Sequence, residues 1–340
     1  MENQLPSCAK DGMKPSDEKK LRLKTCRFLE EASRRLKLPR VATATSMVLF
    51  HRFYAVHSFG DHDRFEVAVS CLLLAAKTEE SPTKLNRVVQ ECWKLKTGTR
   101  SRVALQNNKL KAGNDPSGNN SPIPPQESST DKNGYLDLKS KEFIILKERV
   151  LLLERVILHT IGFELSIDHP YKFLVDKTKK LVLGPTCLLE YRSSTHTKIN
   201  HNKMMEELTQ NAMNFANDSM HTSLCLQFSA ETIAGACVFL SVIHCKLIPK
   251  NEKGWAELLG VDFDVRNFES ICEQILELIA EKKGNNKEIL DTMRSDFEKM
   301  KAVASVSGKS AHGMFQKQNQ SNANNSSGTS GRDTKRSRIS

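Results

Sequence analysis

The stretch 64–78 constrains the fold more than any other part of the chain. Between residues 67 and 76 it carries no charge and a single hydroxyl, and then the sequence changes abruptly to the charged run KTEE at 77–80. A helix that is apolar on nearly every face is stable in water only when other helices enclose it. The sequence therefore predicts a buried central helix that ends in a cluster of charges.

Other helical patterns surround this stretch, and strand alternation is scarce. Apolar residues recur at helical spacing, and Pro15 and Ser16 followed by two acids form a typical helix start. These patterns predict helices over about 17–38, 41–59, 83–95 and 143–163. Together with the central helix they indicate an all-α domain.

Residues 97–139 interrupt this domain. The segment is rich in Asn, Ser, Gly and Pro and poor in large apolar residues, so we expect it to be disordered. The strongly apolar helix that follows it needs the first four helices for burial. The segment is therefore predicted to be an insertion and not a domain boundary.

A second set of helices follows, at about 170–183, 201–219, 229–246 and 264–283. Among them ETIAGACVFLSVIHC, residues 231–245, is again apolar and rich in small side chains. The second set therefore resembles a degenerate copy of the first. The sequence predicts a flexible segment 1–15, a first domain 16–165, a second domain 166–283, and a low-complexity basic tail 284–340 with a short helix at about 287–301.

Charge and composition narrow the function. The segments 94–141 and 282–340 carry the whole of the net charge of +11, so the folded remainder is close to neutral and direct nucleic-acid binding is not expected. Nine cysteines without a Cys-x-x-Cys pair indicate a reducing compartment, and no apolar run is long enough for a membrane span. We expect a soluble intracellular protein.

Motifs for catalysis or metal binding are missing from the sequence. Residues 307–310 end like a phosphate-binding loop, but Val303 occupies the place of the first glycine. The spacing of His51, His57 and His62 fits no zinc pattern. No metal and no cofactor are predicted, and a binding protein is favoured over an enzyme.

Four motifs, in order, resemble the cyclin box and the link to a second box. They are FHRFYAVHSF at 50–59, LLLAAKTEESP at 72–82, LLLERVILHTIGFEL at 151–165 and DHPYKFL at 168–174. The resemblance covers about 16–283 and is strongest to the transcriptional cyclins of the K, T and L group. The run at 217–234 is most like cyclin K. The fold implied is two tandem cyclin-box domains, each with a central apolar helix.

The resemblance also implies a kinase-binding site. In cyclins the lysine of Ala-Ala-Lys and the glutamate of Leu-Glu-Arg form a pair that contacts the regulatory helix of the kinase, and here they match Lys77 and Glu154. By the same matching Leu73, Glu80 and Phe163 border this site. Without the resemblance, a helix that ends in Lys and Glu is usually only a solvated end. His51 stands where many cell-cycle cyclins carry an Asp, and we expect it to be structural.

The resemblance implies a regulatory subunit that does no chemistry itself. The chain would bind and activate a transcriptional cyclin-dependent kinase in the nucleus, and the complex would phosphorylate the C-terminal domain of RNA polymerase II. A nucleic-acid-binding protein like transcription factor IIB is the alternative, but that reading predicts paired Cys-x-x-Cys motifs. A scaffold without kinase activity is a third possibility. The basic run at 332–340 is either a nuclear import signal or a solvating tail.

Overall fold

A computed structural model describes residues 5–111, 130, 134–184, 187–191, 200–250, 265–283, 291–292, 294–295 and 297. The helices are α1 (Pro6–Asp11), α2 (Pro15–Leu36), α3 (Arg40–Val56), α4 (Arg64–Thr78), α5 (Leu85–Lys111), α6 (Lys141–Thr160), α7 (Pro170–Leu183), α8 (His201–Ser219), α9 (Ala230–His244) and α10 (Val265–Lys283). A 3₁₀ helix covers Ser223–Leu226. The predicted all-α class is confirmed.

The first core forms around α4. Its residues from Val67 to Ala76 are all buried, as the apolar run predicts, and α2, α3, α5 and α6 pack against it. Asp63 caps the start of α4 by accepting hydrogen bonds from the backbone N–H groups of Phe65 and Glu66, at 3.0 and 3.1 Å. This cap satisfies amides that lack a partner inside the helix. The helix is thus fixed at its start and enclosed along its length.

The second core forms around α9, whose residues from Ile233 to Ile243 are buried. Helices α7, α8 and α10 pack on it, and Phe297 contacts the rings of Phe239 and Phe268. A short antiparallel pair of strands, β1 (Leu189–Tyr191) and β2 (Leu247–Pro249), closes this half and was not predicted. The predicted boundary at residues 165 and 166 stays a prediction. The tail from residue 298 onward lies outside the described residues.

The expectation of a flexible segment over 1–15 is wrong for the residues described. Pro6 starts the short helix α1, which ends at Gly12 with a φ of 65°. Polar contacts hold it against the loop after α3: the Phe59 N–H donates to Ser7 Oγ at 2.9 Å, and the Gly60 N–H donates to Asp11 at 3.2 Å. Polar contacts hold this helix in place. It therefore needs no apolar face, and no apolar pattern in the sequence predicts it.

The expected limits of the insertion 97–139 are also wrong at both ends. Helix α5 does not end near Leu95 but continues to Lys111, because 99–111 contains no proline or glycine and several good helix formers. At the other end Leu136 is fully buried in the first core, and Gln90 donates a hydrogen bond to its carbonyl at 3.1 Å. Residues 112–129 and 131–133 lie outside the described residues.

Polar contacts join the two cores. The Arg40 guanidinium donates to Glu30 at 2.7 Å and to Asn217 at 2.8 Å, and Tyr171 donates to the same Asn217 oxygen at 2.9 Å. The hydrogen bond from His221 at 3.2 Å, together with Arg40, lowers the pKa of Glu30 to about 2. The junction is therefore built from hydrogen-bonded and charged groups as well as apolar contacts.

Within the described parts of the chain, no helix is both long enough and apolar enough to cross a lipid bilayer.

Candidate functional site

The C-terminal end of α4 places Lys77 at the surface. The N–H of Ser81 donates to the carbonyl of Ala76 at 2.9 Å, and Glu80 takes a left-handed φ of 51°. This is a usual way to end a helix, although glycine generally occupies the left-handed position because it has no Cβ. Lys77 and Glu80 are both exposed.

Helix α6 supplies the second part of the predicted pair. The hydroxyl of Ser140 caps its start by accepting from the N–H of Phe143 at 3.2 Å. The face with Phe143, Leu146 and Val150 packs into the first core, and Glu154 lies at the edge of this buried face. The helix therefore carries one carboxylate at the border between core and solvent.

Lys77 and Glu154 form a salt bridge, with 2.5 Å between Nζ and Oε1. The Lys77 side chain is half exposed, whereas that of Glu154 is 11% exposed. A largely buried carboxylate is costly without a partner, and the ammonium supplies one. The ammonium still has protons that face solvent. The sequence prediction that these two residues come together is confirmed, while their role in kinase binding stays a prediction.

Four apolar side chains on the outer face of α6 are exposed, among charged residues of the same face. Ile144, Ile145, Leu151 and Leu152 are 47%, 51%, 36% and 56% exposed. The spacing of seven residues between Ile144 and Leu151, and between Ile145 and Leu152, puts each pair on one line of the helix. An apolar strip of this kind on a surface helix is typical of an interaction site. We call these four residues the α6 strip.

Phe163 extends the apolar surface beyond the end of α6. Its φ is 60°, it follows Gly162 at 61°, and its side chain is 59% exposed. The ring of His159 contacts it edge to face at 5.2 Å between centroids. A left-handed phenylalanine is strained, and such strain concentrates at functional sites. Glu80 and Phe163 are thus two predicted site residues that both take a left-handed conformation.

Leu73 differs from the other predicted site residues. It is 2% exposed and belongs to the first core, one helical turn before Lys77. Its side chain packs inside the core near the end of α4, and almost none of it is accessible to a binding partner.

The sequence prediction did not include the α6 strip. One signal could have revealed the strip: α6 is a peripheral helix that carries more large apolar side chains than one buried face accommodates. A peripheral helix buries one face, so the remaining apolar side chains stay exposed.

His51 is a buried structural group, as expected. Arg22 donates to its Nδ1 at 3.3 Å, and its Nε2 lies 3.2 Å from the carbonyl of Met220. A guanidinium can only donate and a carbonyl can only accept, so His51 is neutral with its proton on Nε2. Burial, and then the charge of Arg22, lower the pKa of His51 to about 3. Among the residues that the structure describes, no cluster of His, Cys, Asp or Glu could hold a metal ion.

The sequence of the chain is similar to that of known proteins. Residues 2–166 match the family model described as the N-terminal domain of cyclins. Cyclin-T1-3 of Oryza sativa subsp. japonica is 32% identical over 274 residues, which are 79% of this chain and 45% of that protein. Human cyclin-K is 30% identical over 281 residues, which are 80% and 39% of the two chains. The chain spans about half the length of the curated relatives it matches, or less.

A solved structure supports the fold. A chain from the crystal structure of the yeast RNA Pol II CTD kinase CTDK-1 complex superposes with a TM-score of 0.51 at 17% identity, over 82% of this chain and 69% of that one. Cyclin-K stands among the most similar relatives, as the run at 217–234 predicts. Residues 2–166 therefore belong to the cyclin family by this match, and the chain is similar to the transcriptional cyclins K, T and L.

Proposed function

We propose that the chain is the regulatory subunit of a cyclin-dependent kinase and binds the catalytic subunit through the end of α4 and the outer face of α6. The observation that carries the proposal is the α6 strip beside the Lys77–Glu154 salt bridge. A merely solvated helix end needs no row of exposed Ile and Leu side chains. A strip bordered by a few charged groups has the composition of a protein interface.

The site suits a helix as its partner. The strip and Phe163 offer apolar area, while Lys77 and Glu154 together offer one donor and one acceptor to groups that lose water in the complex. Charge-assisted hydrogen bonds of this kind fix orientation as well as contributing affinity. The partner would be the regulatory helix of the kinase, as the family resemblance implies.

The chain itself performs no chemistry under this proposal. Binding holds the kinase helix so that its glutamate pairs with the ATP-site lysine, and this shifts the kinase toward its active conformation. The shift can be no larger than the difference in affinity of this chain for the active and inactive conformations. Every contact that the site makes only with the active kinase therefore contributes to activation.

The finer proposals concern substrate and location. The complex phosphorylates the C-terminal domain of RNA polymerase II, and the yeast complex of similar fold, which is an RNA Pol II CTD kinase, supports this. The complex acts in the nucleus without direct binding of nucleic acid by the cyclin chain. The basic run at 332–340, which would be its import signal, lies outside the described residues.

The test is to express the tagged chain in cells of its source species, capture it and identify the kinase catalytic chain by mass spectrometry. The same material is assayed for ATP-dependent phosphorylation of an RNA polymerase II repeat peptide. The double variant Leu151→Glu, Leu152→Glu should abolish both signals, because four carboxylate oxygens would have to lose water in the interface. Leu183→Glu is the matched control, since Leu183 is 48% exposed on α7, in the other half of the chain.

Loss of both signals with the double variant, and retention with Leu183→Glu, is the expected result. Equal capture by all three proteins would show that the α6 strip is not the binding site.

A further inference from the structure

Three side chains form a hydrogen-bonded chain directly behind the proposed kinase site. The hydroxyl of Thr45, on α3, donates to Oε1 of Glu79 at 2.6 Å and lies 2.8 Å from Nε2 of His169. Thr45 is fully buried and His169 is 8% exposed. Glu79 is the C-cap residue directly after α4, and His169 is the N-cap residue directly before α7.

The chemistry of the three groups fixes the direction of this chain. A threonine hydroxyl has one proton, and it is used on the Glu79 carboxylate. The hydroxyl oxygen can then only accept from His169, so the His169 proton is on Nε2. The other ring nitrogen, Nδ1, is buried and has no hydrogen-bond partner among the described residues. Burial lowers the pKa of His169.

We propose that Thr45, Glu79 and His169 are positioning residues that set the orientation of Lys77 and Glu80 for the kinase. This inference rests on the proposed function and adds the part of the molecule that holds the site in place.

Two observations support a positioning role. The backbone N–H of Glu79 donates to the carbonyl of Ala75 at 3.0 Å, and that of Glu80 donates to the carbonyl of Lys77 at 3.3 Å, so a movement of Glu79 would disturb the last turn of α4, which carries Lys77. In addition, Glu80 has a left-handed φ of 51°, which a non-glycine residue keeps only when its surroundings hold it. The bond from Thr45 to Glu79 is a side-chain anchor next to this strained residue.

The hydrogen bonds between Glu79, Thr45 and His169 also connect the site to the second half of the molecule. His169 precedes Pro170, where α7 begins, and its ring lies 6.0 Å from the ring of Tyr171, which packs on both cores. A displacement of α7 would therefore shift the end of α4, because these two hydrogen bonds link them. We infer that the second core contributes to kinase binding through this path without touching the kinase at the site.

The test uses the kinase catalytic chain that the wild-type protein captures, produced separately and titrated against variants of the full chain. Thr45→Val keeps the shape of the side chain but removes the hydroxyl, and we expect a loss of affinity of about 10-fold, within the range for coupled contacts. Thr45→Ser restores the hydroxyl and should restore binding. Thr43→Val is the matched control: Thr43 is also buried on α3, but its hydroxyl bonds only the carbonyl of Pro39.

A combination of variants separates positioning from stability alone. If Thr45 acts through the α4 end, Thr45→Val should cause no further loss in a chain that already carries Lys77→Ala and Glu80→Ala. Binding is measured well below the melting temperature of each variant, with circular dichroism to verify folding. If Thr45→Val does not fold, Glu79→Ala replaces it, because Glu79 is only partly buried and its loss also removes the anchor.

The outcomes distinguish this inference from the proposed function. If wild-type protein binds no kinase, or if Lys77→Ala binds as wild type does, the proposed site itself is wrong. If Lys77→Ala weakens binding but Thr45→Val matches Thr43→Val, the site stands and the positioning role is refuted. The positioning role would also be refuted if Thr45→Val lowered the affinity of the Lys77→Ala, Glu80→Ala chain by the same factor as it lowers the affinity of wild type.

Discussion

The buried histidine of the first core should make the protein sensitive to mild acid. His51 has a pKa of about 3 in the folded chain, against an ordinary value of 6.5. Below pH 6.5 the unfolded chain therefore takes up a proton that the folded chain does not, so stability is lost as pH falls toward 3. Linkage gives a loss of about 2 kcal/mol from this group between pH 7 and pH 5.

The variant His51→Gln isolates this effect. A glutamine amide can accept from Arg22 and donate to the carbonyl of Met220, but it does not titrate. Urea unfolding of both proteins at pH 7 and pH 5 should show that wild type loses about 2 kcal/mol more than the variant between the two pH values. Histidines that remain in both proteins cancel in this difference.

An exposed histidine provides the control for this experiment. His201→Gln removes one ring at the surface and leaves the contacts of His51 in place, so it should keep the wild-type response to pH. If wild type and His51→Gln lose equal stability, His51 is not held neutral in the folded chain and the reasoning from its two neighbours is refuted.

Three further predictions concern packing and strain. Leu136→Ala should destabilise the protein by about 2–5 kcal/mol in urea unfolding, because the side chain is fully buried; a change under 1 kcal/mol would show that the end of the insertion does not pack on the core. Deletion of 97–139 should therefore lower stability in urea far more than replacement of 112–129 by a Gly-Ser linker does. Equal stability of these two variants would contradict this expectation. Phe163→Gly should raise stability by about 1 kcal/mol, since glycine accepts a φ of 60° without strain, and at the same time weaken kinase capture. Lower stability in Phe163→Gly would show that the ring contributes more as packing than it costs as strain.

The sequence was sufficient for those features that depend on apolar patterning. The burial of α4 and α9 follows from ten or more residues without charge on any face, and both helices lie at the centre of a core. For these two helices a single strong physical requirement leaves few alternatives. The pairing of Lys77 with Glu154 was predicted from the resemblance to cyclins, and the need of a largely buried carboxylate for a cation is consistent with it.

Features that depend on contacts between distant polar residues could not be predicted in this way. The anchoring of α1 and the Thr45–Glu79–His169 chain join residues that are far apart in sequence, with no periodic signal. Leu136 was missed for another reason: one apolar side chain in a polar segment is too weak a signal for burial. The predicted helix end near Leu95 is wrong because residues 99–111 are polar but still have good helix propensity.

The central claim is that Lys77 and the α6 face bind a kinase, and the affinity of the Lys77→Ala variant tests it most directly. Lys77 is half exposed in its pair with Glu154, so we expect the free chain to lose less than about 1 kcal/mol of stability. Affinity for the catalytic chain should fall roughly 10-fold to 100-fold, as for loss of a charge-assisted hydrogen bond. Unchanged affinity, or a fall in melting temperature large enough to explain the weaker binding, would contradict the account.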